Sequence, residues 1–104
     1  MSSAYIPIAM PLRDEGVRAL EHGMTVHCRF FATYAEQLGR ESFDLTLPVS
    51  ATVADAVRRL RVELEHGERL PPAPMVAVNR EHAGGDRRLV HGDEVALLPP
   101  LAGG

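Results

Sequence analysis

One amphipathic segment, residues 53–66, constrains the fold of this chain more than any other. Its apolar side chains recur at positions i, i+4, i+7 and i+11 and therefore share one face of a helix: Val53, Val57, Leu60 and Leu64. Thr52 is the expected N-cap with Asp55 as its capping-box partner, and Gly67 is expected to end the helix. A helix with one apolar stripe needs a single surface to pack on, so the rest of the chain is expected to form a sheet.

Segments with a period of two, the pattern of a half-buried strand, precede this helix. Residues 25–31 and 42–47 both alternate, and the short separation between them predicts an antiparallel pair. Between them, residues 32–38 suit a short helix that ends at Gly39. The apolar sides of the two strands are expected to face the core: Val26, Cys28 and Phe30 in the first, and Phe43, Leu45 and Leu47 in the second.

The second half of the chain supplies the remaining strands. Residues 75–78 are apolar throughout, as in a central strand covered on both faces. After a turn at residues 83–86, residues 87–91 are expected to form a brief strand and residues 94–98 the last one. This order predicts an α+β domain in which one main helix crosses a mixed sheet of about five strands.

Composition indicates a globular protein and argues against several classes of partner. Of the 104 residues, 45% are hydrophobic and 24% are charged, and the net charge is −3. The eleven basic residues form no long run, so nucleic acid is not an expected partner. A single cysteine cannot form an internal disulfide, and no stretch approaches the ~18 apolar residues of a membrane span. We therefore expect a cytoplasmic protein without a membrane partner.

Few residues have the setting that catalysis or ligand binding requires. Cys28 lies between two apolar residues of a strand and is interpreted as a small buried hydrophobe rather than a nucleophile. The five histidines show no paired metal-ligand spacing, so no metal site is expected. Gly84 and Gly85 lack a Walker lysine and are interpreted as a turn. Three arginines lie off the apolar stripe and form either a solvated face or a partner-binding edge: Arg58, Arg59 and Arg61.

The two ends of the chain differ from its middle. Residues 1–23, interrupted by Pro7 and Pro11, are expected to be an appendage that is disordered or carries one short helix, and residues 24–104 to be the domain. At the other end, Pro99 and Pro100 remove two backbone donors and force the chain out of the sheet, which predicts a flexible tail over residues 99–104. Its terminal Gly103-Gly104 pair is thin enough to thread a narrow channel, because glycine has no Cβ.

Residues 24–104 resemble the small sulfur-carrier subunit of molybdopterin synthase, a β-grasp (ubiquitin-like) protein family. The resemblance rests on residues 26–32 with the Phe30-Phe31 pair, on residues 52–55, which open the helix, and on residues 76–79. It rests most on residues 89–104, where Gly92-Asp93-Glu94-Val95-Ala96 precedes Pro99-Pro100 and the terminal Gly103-Gly104. Residues 1–23 lie outside it.

The resemblance implies a carrier without catalytic side chains or a permanently bound cofactor. An activating enzyme would use ATP to adenylate the C-terminal carboxylate, which is otherwise an anion and a poor electrophile at neutral pH. A sulfur donor would then convert the adenylate to a thiocarboxylate. The large synthase subunit, in a heterotetramer of two small and two large subunits, would pass the sulfur to a pterin precursor of the molybdenum cofactor.

The resemblance also assigns roles to the tail. Gly104 would carry the reacting group, Gly103 and Ala102 would thread into the partner, and four residues would contact its surface: Leu98, Pro99, Pro100 and Leu101. Three alternatives remain open at this point. The chain could carry sulfur for another pathway, such as thiamine, cysteine or tRNA thiolation, it could be a ubiquitin-like modifier that forms isopeptide bonds, or it could be a binding module with an inert tail.

Overall fold

A computed structural model of the protein describes residues 23–100. Within these residues the strands form one mixed sheet in the order β2-β1-β5-β3-β4, where β1 and β5 are parallel and the other neighbouring pairs are antiparallel. The elements are β1 (Gly23–Phe30), α1 (Ala32–Leu38), β2 (Ser42–Pro48), α2 (Val53–Glu63), a 3-10 helix (Gly67–Arg69), β3 (Met75–Val78), β4 (Glu81–Ala83) and β5 (Glu94–Leu98). The expected α+β arrangement, with one main helix on a five-stranded sheet, is confirmed.

Helix α2 buries its predicted stripe in the core. Leu60 is fully buried, and the other three residues of the stripe are each at most 7% exposed. The capping box also forms as expected: the Thr52 backbone N–H donates to Asp55 Oδ2 at 2.9 Å, and the Asp55 N–H donates to Thr52 Oγ1 at 3.3 Å. Both interactions satisfy amide groups that the first turn of a helix would otherwise leave unpaired.

The predicted end of α2 is wrong by one turn, because the helix ends at Glu63 rather than His66. Leu64 already has an extended backbone, and His66 has a φ of +67°. The chain then turns back close against α2. A Cβ on Gly67 would press on the carbonyl oxygen of Leu60 and lie 2.8 Å from that of Arg61. This turn leads into Leu70, which is 1% exposed, so tertiary burial ends the helix early.

The predicted strand at residues 87–91 is also wrong. Only an isolated bridge joins Arg88 to Thr52, whereas the short strand β4 forms earlier and pairs with β3. Asn79 and Arg80 both have positive φ, 51° and 73°, as the two central residues of the tightest hairpin turns do. Leu89 is buried from a loop, and its backbone N–H donates to the carbonyl of Ala51 at 2.9 Å.

The other predicted elements form with small shifts. Helix α1 and its Gly39 terminus, with φ of +72°, are as expected, and β1 and β2 pair antiparallel. Strand β1 begins at Gly23, two residues earlier than expected, and ends at Phe30. Strand β3 lies between β5 and β4 with its last three residues buried, although Met75 is 48% exposed. Residues 1–22 lie outside the described residues, so the division into appendage and domain stays a prediction.

Candidate docking face and tail base

The tail begins at the end of a strand that is held on both sides. Strand β5 lies between β1 and β3, and its alternation sends Val95 and Leu97 into the core. Leu98 projects to the opposite face and is only partly buried, and Pro100 beyond it is exposed. Because proline has no backbone N–H, strand pairing cannot continue through this point. The base of the tail is thus fixed in position by the sheet.

A network of hydrogen bonds sets where β5 begins. Asp93 is 6% exposed, and its carboxylate accepts from the Asn79 side-chain amide and from the Val90 N–H, both at 2.9 Å. The Asn79 side-chain oxygen in turn accepts from the N–H of Glu94 at 2.9 Å. Each buried polar atom therefore has a partner, as burial requires. Asn79 and Asp93 belong to two of the motifs noted above, residues 76–79 and 89–104. Their hydrogen bonds join the β3–β4 turn to Glu94, the first residue of β5.

The outer face of the sheet, on the side away from α2, carries an apolar surface beside the tail base. We call it the outer apolar face, and it consists of the residue after β1 and of residues from β3 and β5: Phe31, Met75, Ala77, Ala96 and Leu98. Phe31 is 37% and Met75 48% exposed, whereas the two alanines keep the centre flat. Exposed large apolar side chains grouped in this way are typical of an interaction surface.

Leu98 lines both cavities of this face, beside the start of the tail. It lines one cavity of about 310 Å³ with Phe31 and Ala96, and a second of about 470 Å³ with Met75 and Pro100. It does not belong to the core cluster. Leu98 therefore lies on the outer side of the sheet next to the tail, and its role as a partner contact stays a prediction.

Charged groups border the outer apolar face. Arg29 Nη1 lies 3.3 Å from Glu94 Oε2, and its guanidinium lies 4.9 Å from the centre of the Phe31 ring. An exposed ion pair of this kind adds little to stability. The Arg29 guanidinium instead covers part of the Phe31 ring at the edge of the outer apolar face. On the same side of the sheet, His27 Nδ1 lies 2.6 Å from Asp44 Oδ1.

The remaining candidates do not form a second site. Burial, and secondarily the charge of Asp44, raises the pKa of the Cys28 thiol to about 12, so this side chain is an unreactive core residue as expected. The arginines of α2 interact within the domain: Arg59 Nε donates to Glu63 at 2.6 Å, Arg61 Nε donates to the Leu70 carbonyl at 2.7 Å, and Arg58 pairs with Asp55. Within residues 23–100, no three metal-ligating side chains cluster.

The same part of the chain contains no helix with the length and apolarity of a membrane span.

The structure brings together part of the predicted site. Leu98, Pro99 and Pro100 are contiguous at the tail base, whereas Leu101, Ala102, Gly103 and Gly104 lie outside the described residues and keep their predicted roles as predictions. Sequence reasoning missed Phe31 and Met75 as surface residues. Their positions in the sequence could have indicated this, because each is a large apolar residue next to one whose side chain points into the core, and neighbouring strand residues point to opposite faces.

These features define a class of protein: a ubiquitin-like β-grasp domain whose central C-terminal strand runs into a proline-started tail. Comparison with known proteins then gives the family. The chain belongs to the ThiS family, whose model matches residues 28–104. This agrees with the resemblance to ubiquitin-like sulfur carriers that the sequence motifs indicated.

Similar proteins include small archaeal modifier proteins and, at the level of the fold, a chain of a molybdopterin-converting factor. Small archaeal modifier protein 3 of Haloferax volcanii is 36% identical over 92 residues, which cover 78% of this chain and 100% of the relative. The crystal structure of SAMP1 from Haloferax volcanii matches with a TM-score of 0.68 at 30% identity, covering 77% of this chain and 99% of that one. A chain in the complex of subunits 1 and 2 of the molybdopterin-converting factor from Helicobacter pylori shares the fold. It matches at 24% identity with a TM-score of 0.56, over 78% of this chain and 100% of that one.

Proposed function

We propose that this protein carries sulfur as a thiocarboxylate on Gly104 and delivers it by inserting its tail into a partner enzyme. The observation that carries the proposal is the position of the tail base. Strand β5 is fixed between two neighbours and ends at Leu98, on the outer apolar face, directly before Pro99 and Pro100. A reacting group at the chain end is thus presented from a rigid body beside a surface suited to docking.

The proposed chemistry requires no side chain of this protein. A carboxylate oxygen of Gly104 attacks the α-phosphorus of ATP on an activating enzyme, and pyrophosphate leaves. A sulfide equivalent from a sulfur donor then attacks the acyl carbon and displaces AMP, which leaves a thiocarboxylate. Activation is needed because a carboxylate resists attack by an anionic nucleophile. No permanently bound cofactor takes part, since ATP is consumed on the activating enzyme.

We further propose that the acceptor is a pterin precursor of molybdopterin, and that this chain is the non-catalytic small subunit of the synthase, paired with a large subunit in a heterotetramer. Four residues follow Pro100, and they span at most about 13–14 Å when extended. Any enzyme that holds Gly104 must therefore come within this distance of the tail base, which the outer apolar face borders. The Helicobacter pylori protein of this fold is bound to subunit 2 of its converting factor, which makes the same kind of partner a reasonable one here.

A second candidate function is protein modification through an isopeptide bond, and the name of the Haloferax volcanii relative at 36% identity favours it. The printed sequence contains no lysine, because all eleven of its basic residues are arginine. As a modifier, this chain could not be extended into chains through its own side-chain amines. Its conjugates would contain one copy per acceptor lysine of another protein.

The two functions are separated by the product that activation leaves on the tail. The protein is incubated with ATP, a matching activating enzyme and a sulfur donor, and its intact mass is measured. Sulfur carriage predicts a gain of one sulfur less one oxygen, located at Gly104 by fragmentation. Addition of the synthase large subunit and the pterin precursor should then return the original mass and form the dithiolene product. Conjugates with lysines of other proteins, without a stable thiocarboxylate, would support the modifier instead.

Tail variants provide the controls. Deletion of Gly104 should abolish productive delivery, while the thermal midpoint stays that of the parent because the tail lies beyond the sheet. Gly103→Val should also impair transfer, since a β-branched side chain widens the tip and restricts its backbone dihedrals. Full sulfur transfer by the Gly104 deletion would contradict both the proposed site and the proposed mechanism.

A further inference from the structure

A second exposed apolar surface lies away from the tail, between the end of β2 and the outward side of α2. We call it the β2–α2 groove. Its cavity measures about 440 Å³ and is lined mainly by Leu47, Pro48, Val49, Ala51, Arg59 and Val62. Val62 is 78% and Val49 51% exposed, although both are large apolar residues. The proposed sulfur chemistry makes no use of this surface.

The N-terminal arm, residues 1–22, enters the domain at the rim of this groove. Gly23 is the first residue of β1 and pairs directly with Pro48, which lines the groove. The arm is therefore attached at the edge of the groove. Leu20 and Val17 precede Gly23 by three and six residues, which span at most about 10 Å and about 20 Å when extended, so both can reach the groove.

The sequence of the arm matches the apolar character of the groove. Val17 and Leu20 are spaced as on one face of a helix and lie only six and three residues before Gly23. The charged groups at the rim of the groove are paired within the domain, Arg58 with Asp55 and Arg59 with Glu63, so the contact would depend on apolar packing.

We propose that the N-terminal arm covers the β2–α2 groove of its own domain, with Val17 and Leu20 packing on Val49 and Val62. Attachment favours this occupant over a free partner, because a short flexible connection gives an effective concentration in the millimolar range. The arm and the tail leave opposite ends of the sheet, since β1 and β5 are parallel and the arm precedes β1 whereas the tail follows β5. The covered groove therefore leaves the outer apolar face free.

Limited trypsin digestion of the full chain tests this proposal. Docking protects the peptide bonds after Arg13 and Arg18, and Val62→Gln weakens the contact, so cleavage after Arg18 should accelerate several-fold in that variant. Val90→Gln is the matched control, because Val90 is 62% exposed but does not line the groove. Val49→Gln should reproduce the effect of Val62→Gln. Equal cleavage rates in the parent and both groove variants would overturn the proposal.

A spin label on Gly16→Cys identifies which copy supplies the arm. The buried Cys28 thiol, with its pKa of about 12, should not react, so the label is confined to the introduced cysteine. In an isotope-enriched labelled protein, the amide signals of Val49 and Val62 should broaden, and Val62→Gln should remove most of the specific broadening at Val49. Broadening in an enriched, unlabelled protein mixed with labelled protein at natural abundance would show that a second copy docks, and would overturn the intramolecular assignment.

Discussion

At the scale of single residues, Asp55 shows how one side chain links helix formation to pH. Its carboxylate accepts hydrogen bonds from the Thr52 N–H and hydroxyl and pairs with Arg58. The hydrogen bond from the Thr52 backbone, followed by those from Arg58 and the Thr52 hydroxyl, lowers the pKa of Asp55 from 3.8 to about 2. The folded state therefore favours the ionised carboxylate.

The first prediction follows from the sign of this shift. Because the folded pKa lies below the ordinary value, the stabilising contribution of Asp55 is complete above about pH 4 and is lost as the pH falls towards about 2. The free energy of unfolding of the parent should exceed that of Asp55→Asn at pH 7, and the difference should narrow between pH 4 and pH 2. Urea unfolding at each pH measures it.

A matched acidic variant separates this effect from general acid destabilisation. Glu36→Gln removes an exposed carboxylate from α1, outside the capping box. The free energy of unfolding of Glu36→Gln should differ from that of the parent by no more than about 0.5 kcal/mol at pH 7, as for ordinary surface substitutions. If the difference in the free energy of unfolding between the parent and Asp55→Asn were the same at every pH down to 2, the capping box would not depend on an ionised Asp55.

At the scale of elements, α2 buries four side chains in the core on the inner side of the sheet. Its buried residues include Leu60, with no exposed surface, and Val57 at 2%. The described part of the chain has 78 residues, which at ~0.05–0.15 kcal/mol per residue gives a total stability of roughly 4–12 kcal/mol. A large cavity left in the core by truncating one buried side chain of α2 would consequently remove much of this stability.

The second prediction is that Leu60→Ala lowers the free energy of unfolding by about 2–5 kcal/mol, through lost apolar burial and the cavity left behind. Val90→Ala, outside both the β2–α2 groove and the outer apolar face, is the control. Its parent side chain is 62% exposed, so the change should stay within about 0.5 kcal/mol. Chemical denaturation of both variants measures the difference. Equal stability of the two would mean that the apolar stripe does not form the core.

At the scale of the whole molecule, the outer apolar face lies beside the base of the tail, and the proposed function uses both on one partner. The face is assembled from β3, β5 and the residue after β1, and the tail leaves at its border. Residues at the centre of a docked surface dominate its affinity, whereas distant surface residues have almost no effect. Substitutions on the outer apolar face should therefore change partner affinity far more than substitutions on surfaces remote from the tail.

The third prediction is that Met75→Glu weakens binding to the partner enzyme at least tenfold, because docking would bury an unpaired charge. Val90→Glu, at a residue of similar exposure outside the outer apolar face, should bind like the parent. Isothermal titration with the partner measures both, and circular dichroism checks that each variant is folded. Parent-like affinity of Met75→Glu would exclude Met75 from the docking surface.

The sequence alone was sufficient for features that depend on local spacing. Alternation identified β1 and β2, the apolar stripe identified α2, and Thr52 with Asp55 identified its capping box, because these patterns reflect the geometry of one element. The two prolines likewise determine where strand pairing ends, since they lack the donor it needs. The tail base at Leu98 could for the same reason be located without coordinates.

Tertiary structure decided the features that depend on contacts between distant residues. The short strand forms at β4 rather than at residues 87–91, because the positive φ values of Asn79 and Arg80 turn the chain back onto β3. Helix α2 ends at Glu63, where the chain turns to bury Leu70. The outer apolar face and the β2–α2 groove each combine residues far apart in the chain, and only sheet order and helix packing bring such residues together.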